Sequence, residues 1–120
     1  MKKILTIIII ILSLCGCGTK QENKNPNNEL RTIMETQDHI ILDVRTKEEY
    51  EEDHIKGAIN IPYDQLDEET DLDANKVIFV YCYSGGRSQI AYEKLTTMGY
   101  TVYDLGAFAK IDLPKESDSK

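Results

Sequence analysis

Apolar and polar positions fall along the chain in blocks of different period. Ile4 to Leu14 is an unbroken apolar run behind the charged Met1-Lys2-Lys3. Its length of about 11 residues is short of the ~20 that a spanning helix needs, so it reads as the hydrophobic stretch of a secretory leader. Gly18 to Asn28, G-T-K-Q-E-N-K-N-P-N-N, offers nothing apolar to bury and reads as a flexible tether. Within Glu29 to Gln37, Leu30, Ile33 and Met34 recur at helical spacing and predict a short amphipathic helix. His39-Ile40-Ile41-Leu42-Asp43-Val44 is an apolar run with a charge at its end, the pattern of a strand buried on both faces.

Thr46-Lys47-Glu48-Glu49 is a capping box and predicts a helix to about Asp53, followed by a short strand, Ile59-Asn60-Ile61, that Pro62 ends. Asp64 to Asn75 is acidic and weakly periodic, which suggests one short helix and a loop. Val77-Ile78-Phe79-Val80-Tyr81 is β-branched, aromatic and apolar throughout, so it belongs at the centre of a parallel sheet, with Cys82 at its end. Ser88 to Met98 sets Ile90, Ala91, Leu95 and Met98 on one helical face, with Gly99 as the residue past its end. Thr101 to Leu105 alternates as a last strand, and a weak helix or coil runs on to Pro114. Strands alternating with helices predict an α/β class: one small three-layer α/β/α domain on a central, mostly parallel sheet.

The leader ends in Leu14-Cys15-Gly16-Cys17, which resembles the lipobox of bacterial lipoproteins. Cys17 fits the lipid acceptor because small Gly16 precedes it; Cys15 does not, because Leu14 is too large beside a cleavage site. The expected organisation is therefore a signal peptide over 1–16, a lipid-anchored linker over 17–27, a domain over 28–114 and a disordered tail over 115–120. The expected location is the extracytoplasmic face of the bacterial cell membrane. Cleavage and acylation would leave Cys82 as the lone thiol, without a disulfide partner.

Charge narrows the partners. The formal net charge is −7, and it becomes about −9 once Lys2 and Lys3 leave with the leader. No basic stripe remains to neutralise phosphates, which argues against a nucleic-acid partner. An anion would have to be attracted by a local cluster of backbone N–H groups and arginine. Cys82-Tyr83-Ser84-Gly85-Gly86-Arg87-Ser88 supplies one: the two glycines let the backbone curl, and a helix N-terminus follows. Such a setting depresses a thiol below its ordinary pKa of about 8.5 and makes Cys82 the candidate nucleophile. His39, His54 and one cysteine have no metal-ligand spacing, so no metal is expected.

That loop resembles the C-x-x-G-x-R-S active-site loop of the rhodanese family. Three further stretches resemble the family in order: Leu42-Asp43-Val44-Arg45, Glu48-Glu49-Tyr50, and His54-Ile55-Lys56-Gly57-Ala58-Ile59-Asn60-Ile61-Pro62. The resemblance covers roughly residues 28–114. It implies a sulfurtransferase: Cys82 takes a sulfur from a donor such as thiosulfate, holds it as a covalent persulfide without other cofactor, and passes it to a thiol or protein acceptor. Tyr83, Ser84, Gly85, Gly86, Arg87 and Ser88 would line the site. Arg87 has two readings, binding the donor's sulfonate or turning back to hold the loop. Asp43 and Arg45 read as a supporting ion pair, and His54 as a structural histidine. Related phosphatases and arsenate reductases place five residues between cysteine and arginine, whereas four stand here, a smaller ring suited to sulfur. Two alternatives stay open, a persulfide-relay or thiol redox protein and a non-catalytic docking module. Gly106-Ala107-Phe108-Ala109-Lys110-Ile111 departs from the family's G-G-x-x-x-W and leaves substrate selectivity open.

Overall fold

The strand richest in β-branched and aromatic residues lies inside the sheet. A computed structural model describes residues 26–118; the expected leader, Cys17 with most of its linker, and residues 119–120 lie outside the described residues. Elements follow in the order α1 (Pro26–Thr36), β1 (His39–Asp43), α2 (Lys47–Glu52), β2 (His54–Ile55), β3 (Ile59–Asn60), β4 (Val77–Cys82), α3 (Gly86–Thr97), β5 (Val102–Ala107) and β6 (Lys115–Glu116). Single 3-10 turns cover Tyr63–Gln65 and Phe108–Lys110. Among the described residues no helix is long and apolar enough to cross a membrane.

The described residues fall into two units that divide between Ile33 and Met34. The described part of the first is the start of α1, where Thr32 Oγ1 donates to the Asn28 carbonyl at 2.9 Å. That helix begins at Pro26, two residues before the expected domain start, because a proline's missing N–H costs nothing in a helix's first turn.

The second unit is built on a four-stranded sheet of order β3-β1-β4-β5, parallel throughout. All six residues of β4 are buried, so both its faces must be covered. On one face Leu42, Val44, Ile78, Val80 and Cys82 pack with Leu66 and with Ala91 and Leu95 of α3. On the other, Ile41, Ile55, Ala58 and Tyr81 pack with Met34, Tyr50 of α2, Phe108, Ile111 and Leu113. Helices on both faces give the expected α/β/α layering. Each large apolar side chain buried here contributes about 1.5–3 kcal/mol. Ile111, at the position of the family's tryptophan, joins the second cluster, so the last turn packs inward without it.

Two expectations change. Residues 64–75 hold no α-helix beyond the 3-10 turn: Asp67 Oδ1 accepts from Glu69 N and Asp73 Oδ1 from Asn75 N, both at 2.9 Å. These short acid-to-backbone turns compete with helix formation, and Tyr100 Oη pins the segment by donating to the Thr70 carbonyl at 3.2 Å. The tail is ordered, not disordered, through its described part. Lys115–Glu116 pairs antiparallel with His54–Ile55 as β6, Lys56 N donates to the Pro114 carbonyl at 2.8 Å, and Asp118 N donates to the Glu51 carbonyl at 3.0 Å. Its charged composition suggests solvent, but a strand distant in the chain supplies the partner.

The last strand also differs in detail. Val80 faces Asp104 while Tyr81 faces Gly106, so Leu105 is an extra residue. Gly106, at φ 79°, takes a left-handed conformation at this irregularity. The shift sets Ala107 beside Cys82.

Candidate active site

Cys82 ends the buried central strand and is itself 0% exposed. Only Tyr83, Ser84 and Gly85 lie between β4 and α3, a shorter connection than the sequence suggests; Gly86, Arg87 and Ser88 already belong to the helix's first turn. The tight reversal rests on one glycine. Gly85 has φ 104°, whereas Gly86 is helical and does not use its freedom. Turned this way, the Gly85 N–H donates to Cys82 Sγ at 2.9 Å.

Opposing forces set the state of the sulfur. Burial pushes the Cys82 thiol up; the Ser88 hydroxyl and the N–H groups of Ser88, Gly85 and Ser84 act the other way, and together they bring it below its ordinary value. The Ser88 hydroxyl has one proton and also donates to the Gly85 carbonyl at 3.0 Å. It must turn to serve the thiolate, while the Gly85 N–H already points at the sulfur. Tyr83, 66% exposed, stands on the outside of the loop.

The Arg87 side chain goes to a carboxylate on α2. Its Nη1 and Nη2 donate to Oε1 and Oε2 of Glu49 at 2.8 and 3.0 Å. The guanidinium, the largest influence, draws the Glu49 carboxyl down to about 2, and Glu49 in turn raises Arg87. Glu49 also completes the α2 capping box, its Oε1 accepting from Thr46 N at 3.3 Å. In the sequence Glu49 reads as a capping residue and as part of the Glu48-Glu49-Tyr50 stretch that resembles the family; its pairing with Arg87 was missed, because nothing local links positions 38 apart.

Asp43 and Arg45 form the buried pair that the sequence suggests. Arg45 Nη2 lies 2.7 Å from Asp43 Oδ2, and Arg45 Nε and N donate to Asp43 Oδ1 at 3.0 and 2.9 Å. The Arg45 guanidinium also lies 4.4 Å from the centre of the Phe108 ring. A buried pair persists only when its remaining donors are satisfied; here Arg45 Nη2 also reaches the Asp53 carbonyl. The pair braces the carboxyl end of β1 beside β4. His54 is buried between the Tyr50 carbonyl at 2.7 Å and Glu116 Oε1 at 3.3 Å, in the surroundings of a structural histidine.

A buried cysteine at the end of an inner parallel strand, with the turn into a helix wrapped around its sulfur, defines a cysteine-loop α/β domain. Comparison with known proteins gives the family. The Rhodanese-like domain model matches residues 26–111. Over 78 residues the chain is 41% identical to the thiosulfate sulfurtransferase PspE of Escherichia coli K12, covering 62% of this chain and 75% of the relative. It is 36% identical over 75 residues to the thiosulfate sulfurtransferase GlpE of Coxiella burnetii, 61% of this chain and 70% of that one. A solved structure described as rhodanese with anions from E. coli superposes with a TM-score of 0.60 at 37% identity, covering 66% of this chain and 98% of the other. The chain belongs to the rhodanese-like domain family.

Proposed function

We propose that the chain is a sulfurtransferase that carries sulfane sulfur as a persulfide on Cys82. The observation that carries this reading is the aim of the Gly85 N–H at Cys82 Sγ, 2.9 Å away. With thiosulfate as donor, the Cys82 thiolate attacks the outer sulfur, its bond to the sulfonate sulfur breaks, and sulfite departs with the electron pair. Cys82–S–S⁻ remains, and the loop amides hold its negative charge as an oxyanion hole holds oxygen. A thiolate on a small molecule or protein then attacks the outer sulfur and restores Cys82. The naming of PspE and GlpE as thiosulfate sulfurtransferases supports the reading.

The test is intact-mass spectrometry of the full-length chain after incubation with thiosulfate, beside a Cys82→Ser variant. A gain of one sulfur, about 32 Da, on the wild type alone is expected. Equal gains on both, or none on a wild type with a titratable thiol, would sink the proposal for this donor.

The leader and Cys17 complete the proposal with a lipid anchor that holds the domain at the extracytoplasmic face of the membrane. Labelling with a fatty-acid probe is expected to depend on Cys17; label that persists in Cys17→Ala removes the anchor.

A further inference from the structure

Sulfur donors differ in charge as they meet a thiolate. Thiosulfate is a dianion and leaves a second dianion, sulfite, so its attack gathers three negative charges around one sulfur. A persulfide in its protonated form, R–S–SH, presents a neutral outer sulfur and leaves as a single thiolate. A cation beside the sulfur therefore matters far more for the first donor than for the second.

The cation that the loop supplies is already matched. Both terminal nitrogens of Arg87 lie on the Glu49 carboxylate, at 2.8 and 3.0 Å, with the two side chains only 29% and 31% exposed. Glu49 is held from behind as well, because its Oε1 accepts from the Thr46 N–H and hydroxyl at 3.3 and 3.2 Å. It cannot swing away from Arg87 without loosening the cap of α2. Arg45, at the end of the neighbouring strand, is committed to Asp43. On the same helix α2 adds Glu48, Glu51 and Glu52 and, against them, Lys47, which lies 3.8 Å from Glu51; all four are exposed. The site thus offers backbone dipoles to the sulfur with little net positive charge.

We propose that Glu49, by neutralising Arg87, sets the donor class, so that the site takes sulfur from persulfides, R–S–SH, in preference to dianionic thiosulfate. This rests on the reading of Cys82 as the sulfur carrier. The Cys82 thiolate attacks the outer sulfur, the S–S bond of the donor breaks, Cys82–S–SH forms, and R–S⁻ leaves with the electron pair. One neutral sulfur atom changes hands and nothing is oxidised or reduced overall. Glu49 touches no reacting atom; it is a specificity residue that acts through Arg87.

The experiment compares sulfur loading of Cys82 on the full-length protein by quenched intact-mass measurement, with thiosulfate and glutathione persulfide as probes, in wild type and Glu49→Gln. Glutamine keeps the size of the side chain and one acceptor oxygen for the cap, and removes the charge together with one of the two acceptors that face Arg87. The ratio of thiosulfate to persulfide kcat/KM is expected to rise about fivefold in Glu49→Gln, the factor matching ~1 kcal/mol for a partly exposed ion pair. An unchanged ratio, with both rates falling together, would mean that Glu49 only holds the loop and would overturn the proposal. A second measurement needs no variant: the wild-type thiosulfate rate is expected to rise with ionic strength, as screening weakens repulsion between like charges, and to rise more steeply than the rate with glutathione persulfide, whose net charge is smaller and lies away from the reacting sulfur. A thiosulfate rate that falls with salt shows a net cationic site and overturns the proposal too. Loading from neither donor onto a free Cys82 overturns instead the sulfur-carrier reading beneath it, and loading from both with a fixed ratio spares that reading.

Discussion

Arg87 in the first turn of α3 and Glu49 in α2 meet in a two-point ion pair, Nη1 to Oε1 at 2.8 Å and Nη2 to Oε2 at 3.0 Å. It ties the helix that follows Cys82 to the helix that follows β1. Its contribution depends on pH with a definite sign. Glu49 falls from an ordinary 4.5 to about 2 in the folded protein, so the folded state holds its proton less tightly than the unfolded one. The stability gained is present above about 4.5 and is lost as pH falls towards 2. Partial exposure reduces the contribution to ~1 kcal/mol. Glu49→Gln is expected to lower stability by that amount at pH 7, with the gap to wild type closing between pH 4.5 and 2 in denaturant titrations.

Two adjacent glycines are expected to respond in opposite ways. Gly85→Ala places a side chain at φ 104° with nothing within 4 Å of the new carbon, so its cost is backbone strain alone, ~1–2 kcal/mol. Relief of that strain turns the Gly85 amide away from the sulfur, and sulfur loading of Cys82 should fall with stability. Gly86→Ala sits in helical backbone with the same open space and should be neutral or stabilising by up to ~1 kcal/mol. Thermal melts and loading assays on the two variants separate them.

Alkylation should expose both properties of Cys82. Its rate with iodoacetamide is expected to titrate with a midpoint below the ordinary thiol value of about 8.5, because the loop donors outweigh burial. Ser88→Ala should move that midpoint up. The plateau rate should stay below that of a small-molecule thiolate, since Cys82 is 0% exposed and the loop must yield first. A midpoint at or above 8.5 would remove the argument for an activated thiolate.

Loss of the tail should be felt in the second core. Truncation after Leu113 removes the β6 pairing with His54 and Ile55 and the bond from Lys56 N to the Pro114 carbonyl. At about 0.5–1.5 kcal/mol for a net hydrogen bond, a loss of ~1–3 kcal/mol is expected. Hydrogen exchange should quicken at the Lys56 amide first; unchanged protection there would show that the strand adds nothing.

Much of the molecule could be read in advance where the cause is local. The capping box at Thr46 and Glu49 forms because its partners stand three residues apart. The run 77–82 is buried along its whole length because no residue in it could face water cheaply. Asp43 and Arg45 pair across one intervening residue. The misses share another cause. The tail looks disordered until β2 is beside it, and the tie between Glu49 and Arg87 appears only when α3 brings the two together.

The order of strands and helices, the glycine-bearing turn after Cys82 and the thiol's candidacy as nucleophile follow from residue type and short spacing, since backbone sterics and side-chain burial act between near neighbours. The tertiary structure alone decided that Gly85 and not Gly86 makes the reversal, that Cys82 is shielded, and that Arg87 is spent on Glu49. Those outcomes depend on how α2, α3 and β6 meet around one sheet. Electrostatic and hydrogen-bond partners are chosen by distance in space, which periodicity along a chain does not encode.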